Sequence, residues 1–218
     1  MEIWGIFLIM GGIIGVIIFI ANMYEKKRRE KLQEVAASLA MTFESKDEGK
    51  ALRHYLQGFR LTSLGRGRKV YNIFTGTAEA LQLRIFDYRY TVGGGKSSST
   101  YNQTVFLVES PDMNLTKFKM RPENVFHRIG SSFGMQDIDF EEFPVFSKQY
   151  LLQGDDEGAI RALFDREKLS HFTEDKGLCV EGNGNKLLIY RNGKRLSPEE
   201  IPIFVQHNLK IANMFIGN

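Results

Sequence analysis

LQLRIFDYRYTV, residues 81–92, changes its pattern halfway along, and that change points to the class of the fold. Leu81, Leu83 and Ile85 alternate with Gln82 and Arg84, as on a strand with one buried face. From Phe86 the apolar positions move to the other parity, Phe86, Tyr88, Tyr90 and Val92, with Asp87 and Arg89 opposite. A strand that switches faces either carries a bulge or strong bend, or is buried on both faces at different ends.

Strand signals continue on both sides. Downstream, the Gly93–Ser99 loop leads into Thr104–Glu109, a continuous apolar run typical of a central strand. Phe118 and Met120 then alternate with Lys117, Lys119 and Arg121, as in a strand nearer an edge. Upstream, Arg60–Ser63 and Val70–Phe74 read as strands around a glycine-rich turn at Gly65–Arg68. Pro122 predicts the first turn of a helix reaching about Ser132. Asp137–Glu141 and Gln149–Leu152 are strand candidates around Pro144, and Asp155 or Asp156 caps a helix running to about Arg166. Leu178–Glu181 and Lys186–Arg191, punctuated by Asn183-Gly184 and Asn192-Gly193, form a β-meander. Ser197-Pro-Glu-Glu200 is a capping box, and it opens a last helix with Ile201, Phe204, Ile211 and Phe215 on its buried stripe.

The N-terminus has another character. Residues 3–23, IWGIFLIMGGIIGVIIFIANM, carry no charge and are apolar all round, which predicts a transmembrane helix. Glu2 without a basic partner, and the poor cleavage site Ala21-Asn22-Met23, argue against a cleaved signal peptide. Lys26, Lys27, Arg28, Arg29 and Lys31 follow the apolar stretch, so the positive-inside rule predicts a single-pass inner-membrane protein with its N-terminus outside and its domain in the cytoplasm. The same five side chains are candidates for contact with anionic lipid headgroups. Gly11 and Gly15 form a G-x-x-x-G pair, a candidate face for a homodimer. Leu32, Val35, Ala36, Leu39, Ala40 and Phe43 then repeat at helical spacing, and the stripe packs on the chain's own domain in the simplest reading. A second short helix is predicted from Asp47 to Gln57.

The fold class that follows is α+β: a transmembrane helix continuing into a stalk helix, then a mostly antiparallel β-rich domain with interspersed helices and a C-terminal helix. The boundaries are 1–24 for the anchor, 25–57 for the basic segment and stalk, and 58–218 for the domain. The basic flank supplies a net charge equal to the +3 of the whole chain, so the pI near 8.9 gives no warrant for nucleic-acid binding.

Motifs that carry chemistry are missing. Gly93-Gly94-Gly95-Lys96-Ser97 lacks the first glycine of a P-loop, since that place falls on Tyr90, and a strand rather than a helix follows. Asp137, Asp139 and Glu141 have no calcium-loop spacing and read as exposed carboxylates opposite Ile138 and Phe140. His54, His127, His171 and His207 are far apart in sequence, with no paired-ligand spacing. Cys179, the single cysteine, reads as a buried inert thiol. The turns Arg66–Lys69 and Arg191–Arg195 read as solubilising hairpin tips. No catalytic residue, cofactor or metal site is expected.

FDYRYTVGGGK (86–96), QTVFLVES (103–110), DIDFEEFPVFSKQYLLQGDDE (137–157) and the following Arg161-Ala-Leu-Phe164 resemble a family of uncharacterised bacterial proteins with one N-terminal anchor and a domain of similar length. That resemblance implies no activity. The expected function is a membrane-tethered, non-enzymatic interaction domain that binds a protein partner or the lipid surface. The alternative is an enzyme whose site is assembled from dispersed residues.

Overall fold

The computed structural model describes residues 2–123 and 137–217. Helix α1 runs without interruption over Glu2–Ser38, so the apolar segment and the stalk are one element. The single-pass membrane expectation is overturned: among the described residues, no helix is long and apolar enough to cross a membrane. After the apolar stretch, charge resumes at Glu25. Phe7, Ile13, Ile14, Ile17 and Phe19 are exposed.

The stalk packs on the domain, as its stripe predicts. Leu32 and Ala36 are buried, with Val35 and Leu39 packed beside them. The helix stops earlier than the stripe suggests, because Ala40 takes a left-handed conformation with φ of 54°. Phe43 then lies on strand β1, Thr42–Lys46.

The described strands form one antiparallel eight-stranded sheet in the order β1-β2-β3-β4-β8-β7-β5-β6. The remaining strands are β2, Arg66–Ala78; β3, Leu81–Val92; β4, Ser99–Glu109; β5, Leu115–Pro122; β6, Tyr150–Gly154; β7, Cys179–Gly184; and β8, Lys186–Tyr190. The face switch in β3 is resolved in favour of burial on both faces. Leu81, Leu83 and Ile85 join a core that also holds Leu32, Phe118, Phe164 and Phe215, whereas Phe86, Tyr88 and Tyr90 join a second core with Leu56, Phe59 and Leu61. Strand β3 pairs with β4 in unbroken register, and the irregularities lie on β2, between Arg66 and Lys69 and between Tyr71 and Phe74.

One face of the sheet carries the stalk and the helices α3 (Pro144–Gln149), α4 (Glu157–Leu163), α5 (Arg166–Glu174) and α6 (Ile201–Asn213). The other is covered by a short segment: a 3₁₀ turn at Glu48–Lys50, helix α2 at Ala51–Tyr55, and a second 3₁₀ turn at Arg60–Ser63. That last turn was expected to be a strand. Its backbone curls because the carboxylate of Glu181 accepts hydrogen bonds from the amides of Arg60 and Leu61, which a sheet ladder would otherwise have taken.

Three other expectations change. Asp137–Glu141 is not a strand; Ile138 donates one backbone hydrogen bond to Leu152 at 2.8 Å, and Asp137 Oδ1 accepts from the Leu152 amide at 2.9 Å. Pro122 closes β5 and the helix expected from it is entered one residue later, at Glu123, while the rest of that helix, expected to Ser132, lies outside the described residues. The helix expected to end near Arg166 is two helices, because Asp156 caps α4 and Asp165 caps α5 through the Lys168 amide. The capping box at Ser197 and Glu200 forms as expected.

Candidate functional site

Two clusters of charge organise the domain. The first is built around Asp87, on β3 at the switch in face. Its carboxylate is 2% exposed and accepts from Arg28 at 3.0 Å, Asn72 at 2.9 Å, Thr104 at 2.9 Å and Arg195 Nε at 3.0 Å. Asn72 reaches it because the β2 irregularity puts that residue at φ of 51°, a left-handed conformation asparagine tolerates better than most residues. Arg195 also forms a bidentate pair with Glu25 of α1, at 2.7 and 2.9 Å. Two carboxylates thus meet two guanidiniums. The hydrogen bond from Arg195 holds the Glu25 carboxyl below its ordinary value, and burial partly opposes it. This cluster fixes α1 to the sheet.

The second cluster is a recess of about 490 Å³ on the other face, where the cover ends and β5, β6 and β7 lie open. Its floor carries Lys117 and Lys119 of β5 with Gln153 of β6, and its wall is the 57–63 segment with Arg60 and Arg68. Two glycines permit this packing. A Cβ on Gly182 would sit 2.2 Å from the Phe118 ring, and Gly58, at φ of 101°, brings the wall against Asn183. Glu181 ties wall to floor; it is 3% exposed, and Tyr190 donates to it at 3.0 Å while Arg60 and Leu61 donate from their amides. Burial raises the Glu181 carboxyl above its ordinary value, and these hydrogen bonds oppose that rise.

Unlike the Asp87 cluster, the recess has charge left over. Among the described residues, none of Arg60, Arg68, Lys117 and Lys119 belongs to an ion pair. Asp155 and Glu181 are the acidic residues that line it. Burial, followed by repulsion from Arg60 and Arg121, pushes Lys119 below the usual lysine value. The hydroxyls nearby are engaged: Thr62 donates to Leu56 and Phe59 carbonyls, and Ser63 to the Arg60 carbonyl. Among the described residues, no serine or threonine of the recess is paired with a base.

The basic flank of α1 divides. Lys26 and Lys27 are exposed, and Lys31 pairs with Glu199 at 3.3 Å. Arg29 donates to the Glu25 carbonyl. Arg28 is a correction: it is 8% exposed and committed to Asp87, so it is no headgroup contact. At Gly11 and Gly15 an added Cβ would meet nothing within 4 Å. The turn Arg191–Arg195 is no free hairpin tip either, since Arg191 pairs with Asp175, Lys194 with Glu200, and Arg195 with Asp87 and Glu25. Residues 93–99 form the tip of the β3–β4 hairpin. Burial pushes the thiol of Cys179 up to about 12, so it is inert at neutral pH.

The histidines correct the sequence reading most. His54 is exposed and His127 lies outside the described residues, but His171 and His207 converge with Asp175. Their rings are 6.2 Å apart, and His207 Nε2 lies 2.7 Å from Asp175 Oδ2. The only local signal was His171 and Asp175 four residues apart at the end of a helix; His207 comes from α6.

No family model matches the chain, and no curated protein matches it. Among solved structures it is similar to the crystal structure of the mycobacterial trehalose monomycolate transport factor A, TtfA, with a TM-score of 0.60 and 11% identity. The match covers 86% of this chain and 93% of that one. At that identity the likeness shows the fold alone. An α+β chain with an antiparallel sheet, an N-terminal helix and a C-terminal helix is therefore established, and the family suggested by the sequence resemblance is not.

Proposed function

We propose that the domain is a non-catalytic interaction module whose recess grips an acidic segment of a protein partner. The observation that carries this is the set of four cations, Arg60, Arg68, Lys117 and Lys119, gathered around one recess without ion-pair partners. Like charges gathered without compensation repel one another, and an incoming carboxylate relieves that repulsion while a largely preformed wall and floor limit its ordering cost. The volume is within the range of about 300–1,000 Å³ usual for ligand sites. The engaged hydroxyls of Thr62 and Ser63 favour holding over reacting. The neighbour of like fold is named a transport factor, which is in keeping with a binding role.

Fluorescence anisotropy with a labelled deca-glutamate peptide tests the reading on the full chain. Saturable binding that weakens at least tenfold in Lys117→Glu/Lys119→Glu, and that falls with added salt, is expected. Absence of binding, or equal binding by the variant, would contradict it. So would binding only to vesicles of anionic lipid, which would assign the cations to a lipid surface instead.

The open glycine face of α1 favours a second contact. Ile14 and Ile18 stand exposed beside Gly11 and Gly15, and we propose that two copies pair there, where backbones can approach closely. Oxidative crosslinking of Ile14→Cys should give a dimer that Gly11→Leu/Gly15→Leu abolishes. A dimer yield unchanged by the glycine substitutions would refute the pairing.

A further inference from the structure

We infer that His171, Asp175 and His207 form a binding site for a divalent transition ion of the zinc class, bracing α5 against α6. The three side chains each offer a ligand atom within 4.8 Å of the others. A tetrahedral zinc site has ligand bonds of about 2.0–2.2 Å, which sets its ligand atoms roughly 3.3–3.5 Å apart, so rotamer adjustments of about an ångström close the set. Two imidazoles and one carboxylate are borderline donors, suited to zinc, cobalt or nickel rather than to magnesium or calcium.

The surroundings of the three ligands are those of a supported site. His171 Nε2 is buried and has no hydrogen-bond partner among the described residues, a cost that a metal bond would remove. Asp175 is held from two sides: its backbone carbonyl accepts from the Tyr150 hydroxyl at 2.9 Å, and its Oδ1 accepts from Arg191. Oδ2, which now meets His207, is the oxygen that turns to the ion, while Arg191 keeps the carboxylate oriented through Oδ1. The guanidinium also places a positive charge beside the site, so the affinity is lower than three ligands alone would give. All three residues are partly exposed, which leaves a route for the ion and a fourth position for water. A cavity of about 370 Å³ that includes His207, Arg191 and Phe204 in its walls adjoins the group.

The site is separate from the recess and does not depend on its ligand. Equilibrium dialysis of the full chain against Zn²⁺ should give one bound ion per chain, and Co²⁺ should give the visible absorption of a nitrogen- and oxygen-ligated tetrahedral centre. His207→Ala and His171→Ala should each weaken Zn²⁺ binding at least tenfold, and His54→Ala should leave it unchanged. His207 is partly exposed and its substitution removes one hydrogen bond, to Asp175, so the metal-free melting temperature of His207→Ala should fall only slightly, whereas the rise in melting temperature that Zn²⁺ gives the parent should vanish. Failure of the parent to bind Zn²⁺, or binding that survives either histidine substitution or is lost in His54→Ala, would overturn the assignment.

Discussion

The Asp87 cluster and the recess are both gatherings of charge on one sheet, yet they are built in opposite ways. Around Asp87 two carboxylates meet two guanidiniums, and Asn72 and Thr104 complete the hydrogen bonding. In the recess four cations meet only Asp155 and the deeply buried Glu181, whose hydrogen bonds are taken by the backbone of the wall and by Tyr190. A balanced buried cluster has nothing to offer a ligand and serves to hold α1 in place. An unbalanced one, partly open, carries charge that folding has not used. The contrast sets a bracing cluster beside a proposed binding face on one sheet.

The largest effect should come from removing the hub. Asp87→Ala leaves Arg28 and Arg195 without their shared buried partner, and breaking a buried pair in this way costs about 3–5 kcal/mol, read as a lowered urea midpoint. Little change would mean that the cluster does not brace the helix. Gly182→Ala sharpens the contrast from the other side. Its methyl would meet the Phe118 ring at 2.2 Å, so a loss of about 1–3 kcal/mol is expected, together with weaker peptide binding as the floor shifts.

Lys117→Glu/Lys119→Glu reverses that balance of effects. Stability should move by no more than about 0.5 kcal/mol per site, as for surface substitutions, while binding to deca-glutamate falls at least tenfold. The smallest effect concerns Glu25. Its folded-state carboxyl lies below the ordinary 4.5, so the folded chain binds fewer protons than the unfolded one. The stabilisation is complete above about pH 4.5 and is lost as pH falls through the depressed value. Glu25→Gln should cost under about 1 kcal/mol at pH 7 and flatten that acid limb in urea titrations at successive pH values.

Much of the frame was legible in the sequence, since it rests on local signals. The meander at Asn183-Gly184, the cap at Ser197, the edge-like alternation of Lys117, Lys119 and Arg121, and the stalk stripe at Leu32 and Ala36 all follow from spacing over a few residues. What escaped was decided at a distance. The turn at Arg60–Ser63 looks extended, and it is curled by a carboxylate 121 residues away. Arg28 reads as a basic flank until Asp87, 59 residues on, is placed beneath it. The same holds for the recess: Arg60 and Arg68 lie beside Lys117 and Lys119 only because β5 pairs with β7 and β7 meets the wall through Glu181. His171 and Asp175 share one helix end, but nothing near them announces His207. The membrane reading rested on a run of apolar letters from Ile3, and among the described residues no helix is long and apolar enough to cross a membrane.

The claim that unused charge marks the binding face is tested most directly by amide hydrogen exchange of the full chain with and without deca-glutamate. The account predicts slower exchange at Arg60–Ser63 and Lys117–Lys119 on adding the peptide, with the amides of Glu25–Lys31 unchanged. Protection confined to Glu25–Lys31, with the recess unaffected, would contradict it.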